Sequence, residues 1–500
     1  MEDSGKQNEL PPELRDSRLP RRMLEFGSLG GLRWLRKKTT RWALRSWRMR
    51  RALRARLIIA CTSIAIHFFF LGNPREVVWD EVYFGAFASH YCCDGVRFFD
   101  IHPPHGKLLI SGGARLAGYR GGVDFSKVGN SYGRVSPVSL RWVSALAGAL
   151  IPVSVFELVL QLGGRIPAAI LAAMAVLFDT ALFASSRYVS LDPLLVLGVF
   201  LYLNLLLRGV RRVTKSKSVW FVLAGMVGAM AVGTKVTGLV IVPISALLLL
   251  RPLVQCRNRE NLRIAIRRGT LIVLGFLPVY VFGWYLHFAT LTTPGPGDFY
   301  FKPTGEFVFD TIAYHDRMFI TNASNTRNHP DASRWINWPT MRKPVHLWEK
   351  GDREIYMLAN PVVWIGSFFL LIAVGVNFLV SRSVGPLIYQ PLGRKTLIWI
   401  PACGYLLGFL PFAFVLRPLF LYHYFCPLVF GIVIGALWLD QVGWIRSSYF
   451  TRQRRSYYVV LVAVVGAFLV LSPYVYGYSS FGLHMRLLAG WVWRLYAWSS

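Results

Sequence analysis

Long apolar runs are the feature that most limits what this chain can fold into. Many stretches of about 18 to 23 residues carry hardly a charge, which is the length of a helix that crosses a bilayer core. Hydrophobic residues make up 54% of the chain. The sequence therefore predicts an all-α polytopic membrane protein with about 11 transmembrane helices. We place these helices near residues 55–72, 138–162, 166–183, 188–207, 219–233, 236–250, 269–288, 357–380, 396–415, 418–438 and 457–475.

The distribution of positive charge predicts the topology. The formal net charge is +31, and a cytoplasmic N-terminus places most Arg- and Lys-rich connections inside. This agrees with the positive-inside rule and favours attraction to anionic lipid over nucleic-acid binding. The predicted organisation is a basic cytoplasmic segment (1–54), a transmembrane domain (55–475) with external loops 73–137 and 289–356, and an external tail (476–500).

Two adjacent carboxylates, Asp80 and Glu81, follow the first apolar run. A charge near hydrocarbon is costly, so an acidic pair at a membrane boundary usually has a function. The alternative is a solvated loop with two ordinary carboxylates. The pair is the first candidate for a catalytic site.

Three cations depart from the positive-inside rule. Arg141, Lys235 and Arg417 fall at the outer ends of predicted helices, where a cation usually needs a partner. An anion at the outer surface, such as a lipid phosphate, could be the common partner of all three. Each cation taken alone could instead extend its side chain to the interface.

Further motifs occur in both loops and at the helix ends. They are Asp80–Lys107, Arg141-Trp142, Ser186-Arg187 with Leu191-Asp192, Gly233–Gly238, Arg417–Pro427, Tyr314-His315, His329-Pro330, Ser333–Trp335, Trp338-Pro339 and Ile355–Pro361. This ordered set resembles the protein O-mannosyltransferases over about residues 73–440. His105 and Ile336 depart from the family pattern, and the second loop is too short for the β-trefoil domain of eukaryotic members. In that respect the chain is similar to the shorter prokaryotic members.

The resemblance implies a GT-C glycosyltransferase fold with an outward-facing site. The donor would be a polyprenyl-phosphate mannose and the acceptor a Ser or Thr of a protein. Asp80, with Glu81 beside it, is expected to be the catalytic carboxylate, acting as the base in an inverting displacement. The leaving phosphate would be bound by Lys235, Arg417, Arg141 and His423. Because cationic side chains can carry the charge of the leaving group, neither a metal nor another cofactor is expected.

A second group of residues is expected either to contact the acceptor or to be structural. It comprises His102, His315, His329, Trp335, Trp338, Arg187 and Asp192. His102 precedes two prolines, which are favoured in the first turn of a helix, and the aromatic residues could be interface anchors. Asn322-Ala323-Ser324 matches a glycosylation sequon, a pattern that often occurs by chance.

Two other functions remain open. A related enzyme could transfer a sugar from the same kind of lipid to lipid A or a wall glycan. A secondary transporter would need paired broken helices at mid-membrane, whereas the ionisable residues here cluster at the outer end. The expected partners are the lipid donor, Ser/Thr-containing proteins with their translocation machinery, and membrane lipids. We expect a bacterial plasma membrane, or the endoplasmic reticulum membrane in a eukaryote.

Overall fold

The computed structural model describes residues 29–211, 217–255, 258–324, 329–384, 397–445 and 451–478. The predicted tail 476–500 lies outside the described residues except for its first three positions, and so does the first half of segment 1–54. The helices are α1 (Leu29–Phe68), α2 (Glu81–Ser89), α3 (His105–Leu116), α4 (Val138–Gln161), α5 (Ile166–Leu177), α6 (Thr180–Arg187), α7 (Asp192–Arg211), α8 (Lys217–Thr234), α9 (Ile241–Gln255), α10 (Arg259–Thr290), α11 (Phe307–Ser324), α12 (Pro361–Val384), α13 (Trp399–Phe409), α14 (Phe425–Gln441) and α15 (Thr451–Tyr476).

The chain divides into two units, Met1–Leu57 and Ile58–Ser500. In the first unit the described part is the N-terminal stretch of α1. The second unit contains every other described element. The helix predicted at 55–72 corresponds to the C-terminal part of α1, which ends at Phe68.

Six described helices are long and apolar enough to cross a membrane. They are Val138–Gln161, Asp192–Arg211, Arg259–Thr290, Pro361–Val380, Leu421–Gln441 and Arg454–Tyr476. The predicted runs at 219–233, 236–250 and 396–415 correspond to the shorter apolar helices Ser218–Thr234, Val236–Arg251 and Trp399–Phe414. The protein is thus a multi-pass membrane protein, but length and composition do not confirm the predicted count of about eleven spans.

The predicted helix at 166–183 is two helices. α5 and α6 meet at an angle of 57°, and counting them as one broken span gives a seventh crossing. The break occurs because Asp179 Oδ1 accepts a hydrogen bond from the amide of Leu182 at 2.9 Å. This bond caps the N-terminus of α6 and starts a new helix there.

Close packing of α8 against α10 depends on small residues. A Cβ added at Gly225 would lie 2.0 Å from the carbonyl oxygen of Ile272, and one added at Gly275 would lie 2.0 Å from that of Val222. The two backbones therefore approach at reciprocal glycines, as small residues allow in membrane helix pairs. This contact holds the middle of α8 against α10, and the C-terminal end of α8 leads to the candidate site.

The two predicted external loops contain short elements of their own. The first loop holds the short helices α2 and α3. The second holds α11, 3₁₀ turns at Pro296–Phe299 and Trp335–Thr340, and an antiparallel hairpin of β1 (Val345–Lys350) and β2 (Arg353–Met357). Among the described residues, this hairpin forms a two-stranded sheet in an otherwise helical fold.

Candidate active site

The turn before α2 places Asp80. Trp79 has φ +41°, a left-handed conformation that is strained for a bulky residue. Its amide donates a hydrogen bond to the carbonyl of Leu347 in β1 (3.2 Å), and its ring packs edge-on against His329 and Phe420. The second loop therefore holds the strained turn in place, and with it the carboxylate of Asp80.

The Asp80 carboxyl is half-buried at the N-terminus of α2 and makes no capping hydrogen bond. Burial raises the pKa of Asp80 to about 7. Lys235 opposes this rise, whereas Asp192 and Asp100 add to it. A carboxylate with a pKa near neutrality is matched to accepting a proton from a hydroxyl.

Glu81 points away from Asp80 into the protein. Its side chain is 0% exposed and accepts five hydrogen bonds, two from Arg141 (2.7 and 2.9 Å) and one from the Tyr132 hydroxyl at 3.1 Å. The backbone amides of Val78 (3.0 Å) and Val189 (3.1 Å) supply the other two. These contacts favour a structural role for Glu81 over the predicted catalytic one, because both carboxylate oxygens are already bonded within the fold.

The same contacts favour a structural role for Arg141 over the predicted binding of a phosphate. Its remaining guanidinium N–H groups donate to the carbonyls of Leu71, Pro74 and Glu76 at 3.4, 2.8 and 2.8 Å. With Glu81, these acceptors occupy all five donors that an arginine has. The side chain is 0% exposed and does not line the cavity described next.

A cavity of about 80 Å³ lies between the first loop and the ends of α7, α8 and α14. Its polar lining residues are His102, Asp192, Lys235, Thr237, Asn322, Arg417, Tyr422 and His423. A smaller adjoining pocket is lined by Asp80 and shares Asp192 and Tyr422 with the first. The structure therefore brings Asp80 near Lys235 and Arg417, two of the three cations predicted to bind the donor.

Lys235 lies directly after α8, where the helix ends. Its Nζ donates to Asp192 Oδ1 at 2.7 Å and lies 5.0 Å from the ring centre of Tyr422. Asp192 is the first residue of α7, and its other oxygen accepts from Ser190 at 3.4 Å. An ammonium has three donors, so Lys235 retains donors for a second anion.

Arg417 and His423 are joined across a turn. Arg417 Nη2 donates to His423 Nε2 at 3.2 Å, which leaves the proton of the neutral imidazole on Nδ1, 3.0 Å from the Phe420 carbonyl. Trp338 stacks on the His423 ring at 6.0 Å and donates from Nε1 to Ser333 at 3.0 Å. Arg417 makes no ion pair with any residue that the structure describes, and burial lowers its pKa.

His102 forms the first-loop wall of the cavity. Its backbone carbonyl accepts from Lys107 Nζ at 2.7 Å, and Lys107 also pairs with Asp100 at 2.5 Å. Burial, followed by the nearby cations Lys235 and Arg417, holds the pKa of His102 well below its ordinary value. The ring is therefore neutral, and it can donate or accept a hydrogen bond. The helix α3 begins at His105, directly after the two prolines.

Two of the predicted residues lie away from the cavity. His315 bonds to the Thr311 carbonyl (2.7 Å) and the Tyr280 hydroxyl (2.8 Å), which places it between α10 and α11. Arg187 is 0% exposed and donates to the carbonyls at the end of α1, namely those of His67, Phe69 and Phe70. Of the two roles left open for these residues, the structural one fits their contacts.

Two further predicted residues make aromatic contacts and line neither of the two pockets. His329 packs against Trp79 and Phe420, and Trp335 packs against Phe409 at 5.0 Å. Sequence reasoning missed the cavity-lining role of Tyr422, although it stands in the motif that contains His423. No group of three or more potential metal ligands occurs among the described residues.

Comparisons with known proteins agree with this architecture. Two family models match the chain, "Dolichyl-phosphate-mannose-protein mannosyltransferase" over residues 57–292 and "C-terminal four TMM region of protein-O-mannosyltransferase" over residues 307–489. Dolichyl-phosphate-mannose–protein mannosyltransferase 4 of Candida albicans is 33% identical over 49% of this chain and 34% of its own length. Protein O-mannosyltransferase 1 of Drosophila pseudoobscura pseudoobscura is 34% identical over 48% of this chain and 27% of its own. These matches span about a third of each relative.

Solved structures share the fold. The Saccharomyces cerevisiae protein O-mannosyltransferase Pmt1-Pmt2 complex matches with a TM-score of 0.81 at 17% identity, over 88% of this chain and 92% of the other. ArnT from Cupriavidus metallidurans matches with a TM-score of 0.51 at 18% identity, over 83% and 64%. The fold is therefore that of the GT-C class of membrane proteins. Within that class, the two family models and the motifs around the site show that the chain belongs to the protein O-mannosyltransferase family.

Proposed function

We propose that this protein transfers mannose from a polyprenyl-phosphate mannose to Ser or Thr hydroxyls of proteins. The observation that carries the proposal is the position of Asp80, a carboxylate with no capping bond, beside a cavity lined by Lys235 and Arg417. A base and cationic phosphate ligands are the two components that such a transfer needs. The names of the relatives point to the same donor and acceptor.

Asp80 acts as the base. The acceptor oxygen attacks the anomeric carbon, its proton passes to Asp80, and the bond between that carbon and the phosphate oxygen breaks. The bonding electrons leave with the polyprenyl phosphate. A single displacement of this kind inverts the anomeric centre.

Lys235, Arg417 and His423 act on the leaving group. Negative charge grows on the phosphate oxygens as the bond breaks, so fixed donors bind the transition state more tightly than the ground state. His423 orients Arg417 through their hydrogen bond at 3.2 Å. In this mechanism the side chains carry the charge of the leaving group, so transfer should persist in the presence of a chelator.

The site is proposed to face outside the cytoplasm. The basic connections at the opposite ends of the helices favour this orientation under the positive-inside rule. Acceptors would then be Ser- and Thr-containing segments emerging from translocation. The short second loop remains our reason for proposing a bacterial plasma membrane.

The test uses purified protein in lipid vesicles with radiolabelled polyprenyl-phosphate mannose. A Ser/Thr-rich peptide and a lipid A or glycan acceptor are offered together, and Asp80→Asn is the control. Label on the peptide, released by β-elimination and of inverted configuration, supports the proposal. Label only on the lipid or glycan acceptor contradicts it and favours the alternative transfer reaction.

A further inference from the structure

One face of α11 is directed toward the interior and continues into the cavity. Asp310, Tyr314 and Met318 are spaced four residues apart and are 2%, 2% and 1% exposed. Positions with this spacing lie on the same face of a helix. The next residue in the series is Asn322, which lines the cavity together with Lys235 and Arg417.

Hydrogen bonds fix α11 at this position. Both oxygens of Asp310 accept bonds from Thr304, and one also accepts from the Gly305 amide, at 2.8 to 3.1 Å. The Tyr314 hydroxyl accepts from the backbone amide of Asp100 at 3.1 Å. Asp100 lies two positions before His102, so α11 is attached to the segment that forms the opposite wall of the cavity.

Asn322 has an acceptor with no partner. Its Oδ1 atom is buried and accepts no hydrogen bond from any residue that the structure describes. An unsatisfied buried carbonyl is unfavourable, and in native proteins such groups usually meet water or a ligand. The other strong acceptor of the cavity, Asp192, already binds Lys235.

We propose that Asn322 Oδ1 accepts a hydrogen bond from a hydroxyl of the donor sugar, which makes Asn322 a specificity-determining residue. This inference rests on the proposed function. The ionised phosphate of the donor offers acceptors only, so it cannot satisfy a carbonyl oxygen. Sugar hydroxyls are the donors of that substrate. In this proposal Asn322 recognises a hydroxyl of the sugar, whereas Lys235 and Arg417 bind the phosphate.

The sequon that contains Asn322 is then a match by chance. Its Asn side chain points into the cavity from a helix, whereas glycan attachment needs a side chain accessible at the surface. Ser324 of the same sequon is exposed and donates to the Thr321 carbonyl at 3.4 Å. Ser324→Ala therefore removes the sequon without touching the cavity, and it is a matched control for Asn322→Ala.

The experiment measures kcat/KM with polyprenyl-phosphate mannose and with a series of its monodeoxy-mannose analogues. We expect Asn322→Ala to lower kcat/KM for the natural donor roughly tenfold, the scale of one lost hydrogen bond. It should also remove the discrimination of the wild type against one particular deoxy analogue. Asn322→Asp keeps an acceptor oxygen, so it should retain that discrimination even though its charge weakens binding of the anionic donor.

Ser324→Ala should match the wild type, and thermal unfolding of all variants identifies any that fail to fold. If Asn322→Ala keeps the full pattern of discrimination, the proposal is wrong. The proposal is also overturned if Asn322→Ala and Ser324→Ala change kcat/KM equally and the mass of the wild-type protein shows an attached glycan. A wild type that transfers no mannose refutes the proposed function together with the inference, whereas an active wild type with an unaffected Asn322→Ala variant refutes the inference alone.

Discussion

Glu81 and Arg141 form a bidentate ion pair in which both side chains are 0% exposed. The two bonds measure 2.7 and 2.9 Å and join the first loop to α4, sixty positions along the chain. Asp80 directly precedes Glu81, so the pair fixes the residue next to the proposed base. Breaking such a pair leaves an uncompensated buried charge, which costs more than the pair itself contributes.

We expect Arg141→Met to lower the free energy of unfolding by roughly 3 to 5 kcal/mol, because Glu81 is left buried and unpaired. The double variant Glu81→Gln with Arg141→Met should recover part of that loss, since no charge remains unpaired. Thermal unfolding in detergent measures both. A stable Arg141→Met variant with weakened donor binding would instead restore Arg141 as a phosphate ligand.

Replacement of Asp80 by Asn should lower kcat by roughly 10² to 10⁴ and leave the affinity for the donor largely unchanged, because the amide keeps the shape but cannot accept the proton. The pKa of Asp80 is about 7, and only the ionised form is a base. Wild-type kcat/KM should therefore rise with pH through about 7, whereas the residual activity of the variant should not. An unchanged pH profile in the variant argues against the assignment.

The raised pKa also predicts an effect of Asp80 on stability. Folded protein holds this proton more tightly than the unfolded chain, so the stabilisation is fully present below pH 3.8 and is lost as pH rises through about 7. Asp80→Asn should therefore be more stable than the wild type at pH 8, by roughly 1 to 3 kcal/mol, and similar to it at pH 4. Asp124→Asn, an exposed carboxylate in the same loop, is the control and should not show this gain.

Much of this site could be predicted because helix ends and motifs are local. Asp80, Lys235, Arg417 and His423 all stand in motifs near the ends of apolar runs, and the structure places them around adjoining pockets. The pairing of charges could not be predicted. Which cation meets Glu81 depends on how distant segments pack, and sequence spacing does not contain that information.

Asn322 shows a second limit of sequence reasoning. In the sequence, Asn322 is one residue of a common tripeptide. Only the orientation of α11 in the folded protein places its side chain in the cavity. The bend between α5 and α6 is also not predictable from the sequence, because the apolar run continues through Asp179. Hydrophobicity there predicts one helix, whereas a single capping bond makes two.

The proposed orientation predicts opposite labelling at the two ends of α10. Glu260 lies at the start of that 32-residue helix and Lys302 shortly after its end, and both are exposed. Single cysteines are introduced at these positions in a background without other reactive thiols. A membrane-impermeant reagent should label Lys302→Cys in intact cells and Glu260→Cys only after permeabilisation. The reverse pattern would place the Asp80 cavity on the cytoplasmic side.

Variants of Lys235 and Lys107 distinguish a loss of phosphate binding from the loss of stability that follows when any buried ion pair is broken. Both ammonium groups are buried and bond to an aspartate, at 2.7 and 2.5 Å, but of the two only Lys235 lines the cavity. Lys235→Met should therefore raise the dissociation constant of the lipid donor and lower kcat together, because a charge-assisted bond to the leaving phosphate is lost.

Lys107→Met should lower stability by a similar amount while folded protein keeps its affinity for the donor. Lys235→Arg need not restore activity, since a planar guanidinium does not replace a compact ammonium. Donor binding by titration calorimetry in nanodiscs, alongside thermal unfolding, distinguishes the two lysines. If Lys235→Met binds the donor as well as the wild type and loses only affinity for the peptide, Lys235 belongs to the acceptor side of the site.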